Sequence, residues 1–190
     1  MLSMLSRRFF VAGGLSAIVL ASARPAHATL VRAITLTELV GLSQHAVVAT
    51  PTSSSSRWET IGDRERIVTY TPVRVEYVLD GSSPPNEIMV RTLGGRVGDL
   101  GQLVPGEAPL RKDVTAALFL ESVATDVFGV TAMAQGHYPI ALDQNGTRRL
   151  RAHRVDFVKL TTDAAIVRLD GRTVSEVETL VYREVARGAR

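Results

Sequence analysis

The chain predicts a mainly β fold, a small barrel or sandwich of five to six strands with a short helix before it and a longer helix after it. Three observations carry this. Short apolar runs separated by turn residues recur between about residues 47 and 142. Within "VRVEYVL", Val73 to Leu79, apolar and charged residues alternate with a period of two. Helical spacing with a capping signature occurs only towards the two ends, around Thr35 and Thr173.

The elements follow in order. Thr35 with Glu38 three residues on fits a capping box, and Leu36, Leu39, Val40 and Leu42 share much of one face, which predicts a short helix over 35–44. Val47 to Thr50 is a β-branched run and reads as a strand. "PTSSSS", Pro51 to Ser56, has the composition of a linker; its place between strand-like segments makes it a polar edge or a long hairpin. Val73, Val75, Tyr77 and Leu79 predict one core-facing side of a strand, with Arg74 and Glu76 in water. Asp80 to Asn86 is turn chemistry. "EIMVRTL" predicts a strand with Ile88, Val90 and Thr92 on one side. Val114 to Leu120 predicts a buried strand and Val127 to Gln135 another. "HYPIALDQNGTRRL" predicts a hairpin, because Asn145-Gly146 favours left-handed turn geometry. "RRLRAHR", Arg148 to Arg154, reads as a basic connector. Beyond it Thr173 and Glu176 form a second capping box, Val177, Leu180, Val181 and Val185 mark an apolar stripe, and Gly188 is a stop. The resulting organisation is 1–28, a leader; 29–147, the β domain; and 148–190, the connector and C-terminal helix.

The leader has the three parts of an export signal. Arg7-Arg8 supply charge, Val11 to Ser22 is an apolar run of 12 residues, and Ala26 and Ala28 place small residues where a signal peptidase reads. That run is shorter than the roughly 20 residues a membrane-spanning helix needs, so no integral membrane segment is expected after cleavage. Ser6, Arg7, Arg8, Phe9 and Phe10 resemble the Ser/Thr-Arg-Arg-x-Phe motif of the twin-arginine route. Gly13 and Gly14 keep the apolar run mild, and Arg24 just before the cleavage site agrees with that route. A periplasmic or extracellular destination follows as an expectation.

Composition narrows the function classes. Taking Arg7, Arg8 and Arg24 from 22 basic side chains leaves 19, against 19 acidic ones. A formally neutral chain argues against nucleic acid as a partner. There is no cysteine, so the fold relies on its core, for which residues 29–190 are long enough.

Several stretches together resemble an uncharacterised group of secreted bacterial proteins: "TELVGLSQHAVVAT", "VTYTPVRVEYVLDG", "EIMVRTLGGRVGDLGQLVPGEAPL" and "AALFLE". The likeness covers about Leu36 to Pro139, and its most specific part is the T-x-G-G-x-V-G loop. The strand order is also similar, more loosely, to netrin-like domains, the barrel type of tissue inhibitors of metalloproteinases. That likeness implies an OB-like β-barrel. It does not imply metalloprotease inhibition, because those inhibitors use an N-terminal cysteine that this chain lacks.

No catalytic constellation is legible. Gly-x-Ser-x-Gly is absent, there is no thiol, and Ser53 to Ser56 has no nearby base. His45, His137 and His153 lack metal-ligand spacing, so no metal and no cofactor are expected. Asn145-Gly146-Thr147 matches a glycosylation sequon and is read only as a turn. The glycine-rich loop after residue 93 remains. Gly94, Gly95, Gly98 and Gly101 accompany Arg96 and Asp99, but the dinucleotide spacing is missing, and Pro105 and Pro109 block the helix that should follow. It is either an irregular crossover whose glycines answer backbone constraints, or a ligand-binding loop in which Gly94, Gly95, Arg96, Gly98 and Asp99 present a donor fork and an acceptor. The expected function is an exported, non-catalytic binding module whose partner is another envelope protein or a polymer. The alternatives are an envelope hydrolase or other enzyme with a spatially assembled site, and a structural subunit of an envelope complex.

Overall fold

The computed structural model describes residues 32–153 and 161–188. The export-signal residues Ser6, Arg7, Arg8, Phe9, Phe10, Ala26 and Ala28 lie outside the described residues, as does the end of the basic run at Arg154.

Helix α1, Leu36–Leu42, starts where predicted. Thr35 accepts from the Glu38 backbone N–H at 3.1 Å, and the Glu38 carboxylate accepts from the Thr35 N–H at 2.9 Å. Leu36, Leu39 and Val40 are buried, whereas Leu42 is 61 % exposed and leaves the expected apolar face. The strands are β1 His45–Pro51, β2 Ser55–Ile61, β3 Arg64–Asp80, β4 Glu87–Leu93, β5 Gly95–Val97, β6 Leu100–Gln102, β7 Ala116–Ala124, β8 Val127–Val130, β9 His137–Leu142 and β10 Arg148–Leu150. The mainly β class stands. The strand number does not: ten strands occur among the described residues, because polar stretches read as loops also pair.

Eight of them form one sheet in the order β1-β3-β4-β8-β7-β9-β10, with β2 paired to β3 and β1 paired to β7 as well as β3. All of these pairs are antiparallel except β4–β8, which is parallel. Strands β1 and β7 are central. β1 is buried along its whole length. Its Val47 and Ala49 join Val73, Val90, Leu118, Leu120 and Val130 in one core. Its Ala46 and Val48 point the other way, into a second core with Phe119, Leu150 and the helices. Two covered faces explain why these strands read as unbroken apolar runs.

Two elements depart from the sequence reading. In β3 the predicted single face is split. The β1–β3 register shifts twice: Val48↔Tyr77 is followed by Ala49↔Val75, which makes Glu76 an extra residue, and Ala46↔Asp80 by Val47↔Val78, which makes Leu79 another. Val73 and Val75 therefore belong with the first core, Leu79 with the second, and Tyr77 is 43 % exposed beside the C-terminal helix. The strand predicted over Val127 to Gln135 stops at Val130. Ala132 and Met133 take left-handed φ of 53° and 60°, and a 3-10 turn covers Met133–Gly136.

The C-terminal segment carries two further helices, α2 Ala165–Leu169, which the periodicity did not signal, and α3 Val174–Ala186. α3 is capped by Thr173 and Glu176 as predicted, and Val177 and Val181 are fully buried. Glu184 is also buried, on the face towards α1 and α2. It accepts from Thr37 at 2.8 Å and lies within ion-pair distance of Arg168 and Arg187. One carboxylate thus ties the three helices together. No helix among the described residues is long and apolar enough to cross a membrane.

Candidate functional site

The glycine-rich loop is a small β-hairpin. Gly95–Val97 pairs with Leu100–Gln102 in a separate two-stranded sheet, and Gly98 at φ +59° makes its turn. It sits on the β2–β3 ladder through its glycines. A Cβ on Gly95 would lie 2.3 Å from Thr69 Oγ1 and 2.4 Å from Ser56 Oγ; one on Gly94 would lie 2.7 Å from the Gln102 carbonyl. Thr69 donates to the Gly94 carbonyl at 2.7 Å, and the Ile67 N–H donates to Gln102 Oε1 at 2.8 Å. Gly94 and Gly95 are thus positions where no side chain fits, and the hairpin is docked at its base.

Towards the tip the ties thin out to one long contact, from the Arg96 backbone N–H to Ser56 Oγ at 3.4 Å. Arg96 and Asp99 are exposed, and neither forms an ion pair among the described residues. Arg96 Nε donates to the Gly98 carbonyl at 3.0 Å, which steadies the guanidinium and leaves its outer nitrogens to solvent. The structure therefore separates the five predicted residues into a docked pair, Gly94 and Gly95, and a presented group, Arg96, Gly98 and Asp99.

Under the hairpin lies a cleft of about 250 Å³. Thr69, Thr71 and Thr92 line it from β3 and β4, Gly94 and Gly95 from the hairpin base, and the segment from Glu107 to Leu110 from the far side. Glu107 is fixed there by accepting from the Leu93 and Ala108 N–H groups at 2.9 and 3.0 Å. The lining is mixed: the threonine hydroxyls and the Glu107 carboxylate stand among Leu93, Leu103, Val104 and Leu110. The threonines were not singled out in the sequence. Their signal is alternation: Thr69 and Thr71 lie two apart on one strand, and register places Thr71 opposite Val90 and Thr69 opposite Thr92.

A larger cleft of about 700 Å³ lies between β3 and the start of α3. Its polar groups are already paired with each other. Tyr77 OH donates to Glu178, Thr50 donates to Glu76 at 2.6 Å, and Arg148 stands 3.8 Å from Glu76.

Two histidines that lie far apart in sequence meet. His153 Nε2 is 3.0 Å from His137 Nδ1, with the rings stacked. Burial, then the neighbouring His153 and Arg111, push His137 down to about 3. His153 is also pushed down, first by burial and then by Arg111. Both rings are therefore neutral near pH 7. Among the described residues no group of three or more His, Asp or Glu converges as a cation site.

No protein-family model, curated protein or solved structure matches the chain.

Proposed function

We propose that this chain is an exported, non-catalytic binding module of the bacterial envelope, built on an OB-like barrel, and that the β5–β6 hairpin is its ligand-contacting loop. The barrel reading rests on the circuit of pairings β1–β3–β4–β8–β7 that returns to β1, and on the single apolar core to which all five strands contribute. Such barrels commonly bind through the loops and sheet face of one side; this step is an analogy of fold. The observation that carries the function is the contrast within the hairpin: a base held by sterically required glycines, and a tip that presents Arg96 and Asp99 with no ion-pair partner among the described residues. A rigid platform with a polar fork suits a partner bearing carboxylate, hydroxyl or amide groups, as an envelope protein or polymer does.

The test compares the wild-type protein with the double variant Arg96→Ala/Asp99→Ala in capture from an envelope fraction. Loss of the captured partner, with the melting temperature unchanged, is expected. Equal capture by both overturns the hairpin as the binding loop. Export is tested separately: Arg7→Lys with Arg8→Lys should leave the precursor in the cytoplasm, and normal delivery of that variant overturns the twin-arginine route.

A further inference from the structure

Strand β2 forms an open edge of the main sheet. It pairs with β3 along Ser55–Ile61 and with no other strand. The hairpin closes through Gly62 and Asp63, with Gly62 at φ +64° and Asp63 not left-handed, as in a type II′ turn. In such a turn the flanking residues, Ile61 and Arg64, share the closing backbone hydrogen bond. Alternation along an antiparallel ladder then directs the N–H and C=O groups of Ser56, Trp58 and Thr60 away from β3.

An edge of this kind templates pairing with another strand. Proteins usually blunt it by shortness, charged side chains, proline, a bulge or a cover. The other end of the sheet is blunted in this way: β10 has three residues, and Arg149 there bridges to Thr173. β2 has seven residues, no proline and an unbroken register with β3, and it exposes Trp58 at 46 %. It carries charges, but of both signs, Arg57 and Glu59.

The sequence around Trp58 is complementary to itself. If two copies of "SRWET" run antiparallel about a two-fold axis through Trp58, Arg57 of each faces Glu59 of the other, and Ser56 faces Thr60. The hydrogen-bonded positions of that pairing are the outward ones, Ser56, Trp58 and Thr60. Arg57 and Glu59 fall at the non-hydrogen-bonded positions, where side chains come closest. Glu59 is held in place on that face by Tyr70 and Arg91, and Arg57 lies over the Tyr70 ring. We propose that β2 is a homodimer interface: two copies of this chain join their sheets edge to edge, antiparallel and centred on Trp58. The isologous geometry makes the charge match occur twice, which a foreign strand would have no reason to reproduce.

Sedimentation velocity over a concentration series tests this with the purified protein. The wild type should shift from monomer to dimer. Thr60→Pro removes an outward N–H and no ladder bond to β3, so it should keep its circular dichroism and lose the dimer. Arg57→Glu and Glu59→Arg each place like charges opposite one another twice, and each should dimerise roughly tenfold more weakly. Mixing those two variants restores both charge matches and should restore the dimer. A wild type that stays monomeric throughout overturns the proposal, whether or not its edge takes up a strand of another protein. So does a dimer that survives in Thr60→Pro, or a mixture of folded charge variants that dimerises no better than either alone.

Discussion

Gly95 and Gly98 share a hairpin but answer different demands. Gly95 has φ +131°, and any Cβ there would meet two hydroxyl oxygens, one of them engaged with the Gly94 carbonyl. Gly95→Ala should therefore add both backbone strain and overpacking, costing about 2–4 kcal/mol in a denaturant melt. Gly98 has φ +59° with open space around it, so Gly98→Ala meets only the left-handed penalty of about 1–2 kcal/mol. Arg96→Ala should cost no more than about 0.5 kcal/mol, as at ordinary exposed sites. A loss of several kcal/mol at Arg96 would mean that its guanidinium holds the hairpin together, and the binding-loop reading would then lose its basis.

At the scale of elements, the stretch read as a basic connector begins as a strand. Leu150 in β10 is fully buried in the helix-side core, and its backbone N–H donates to the Arg172 carbonyl at 2.8 Å. Leu150→Ala should cost about 2–5 kcal/mol, as for a core truncation, whereas a solvated connector would lose almost nothing. Arg149 supports the same hairpin from its polar side. It donates to Asp143 at 2.6 Å, and that contact, with backbone donors from Thr147 and Asn145, holds the Asp143 carboxyl below its ordinary range. At the start of α3, Thr173→Ala removes the acceptor for the Glu176 N–H and should cost about 0.5–2 kcal/mol. Both variants are read by chemical denaturation against the wild type.

For the whole molecule, the paired histidines set a pH dependence. His137 is 2 % exposed and has a value of about 3 in the folded state against 6.5 ordinarily. Between those values the unfolded chain binds a proton that the folded chain does not. The stability that His137 contributes by staying neutral is therefore fully present above about pH 6.5 and is lost as pH drops towards 3. The melting temperature should decline over that window, and His137→Gln should flatten the decline. A wild-type curve unchanged between pH 7 and 4 would show that the ring takes up its proton without leaving its site.

Local signals were legible wherever a short-range interaction decides the outcome. Both capping boxes, the strand Glu87–Leu93 and the turn at Asn145-Gly146 depend on residues within a few positions of one another, and the structure has each where the sequence put it, although of that turn pair only Gly146 is left-handed. The glycine loop was legible as a special backbone, since three of its four glycines take positive φ. Long-range register was not legible. Extra residues at Glu76 and Leu79 change which side of β3 faces inward, and only the pairing with β1 creates them. The strand in the basic run, the small helix at Ala165–Leu169 and the His137–His153 contact likewise exist because distant segments supply their partners. The chain by itself determined the β class, the helix starts and the unusual glycines, because these are written in neighbouring residues. Which strands are covered on both faces, which threonines line the cleft and which edge stays open were decided by tertiary structure alone, because each depends on what packs alongside.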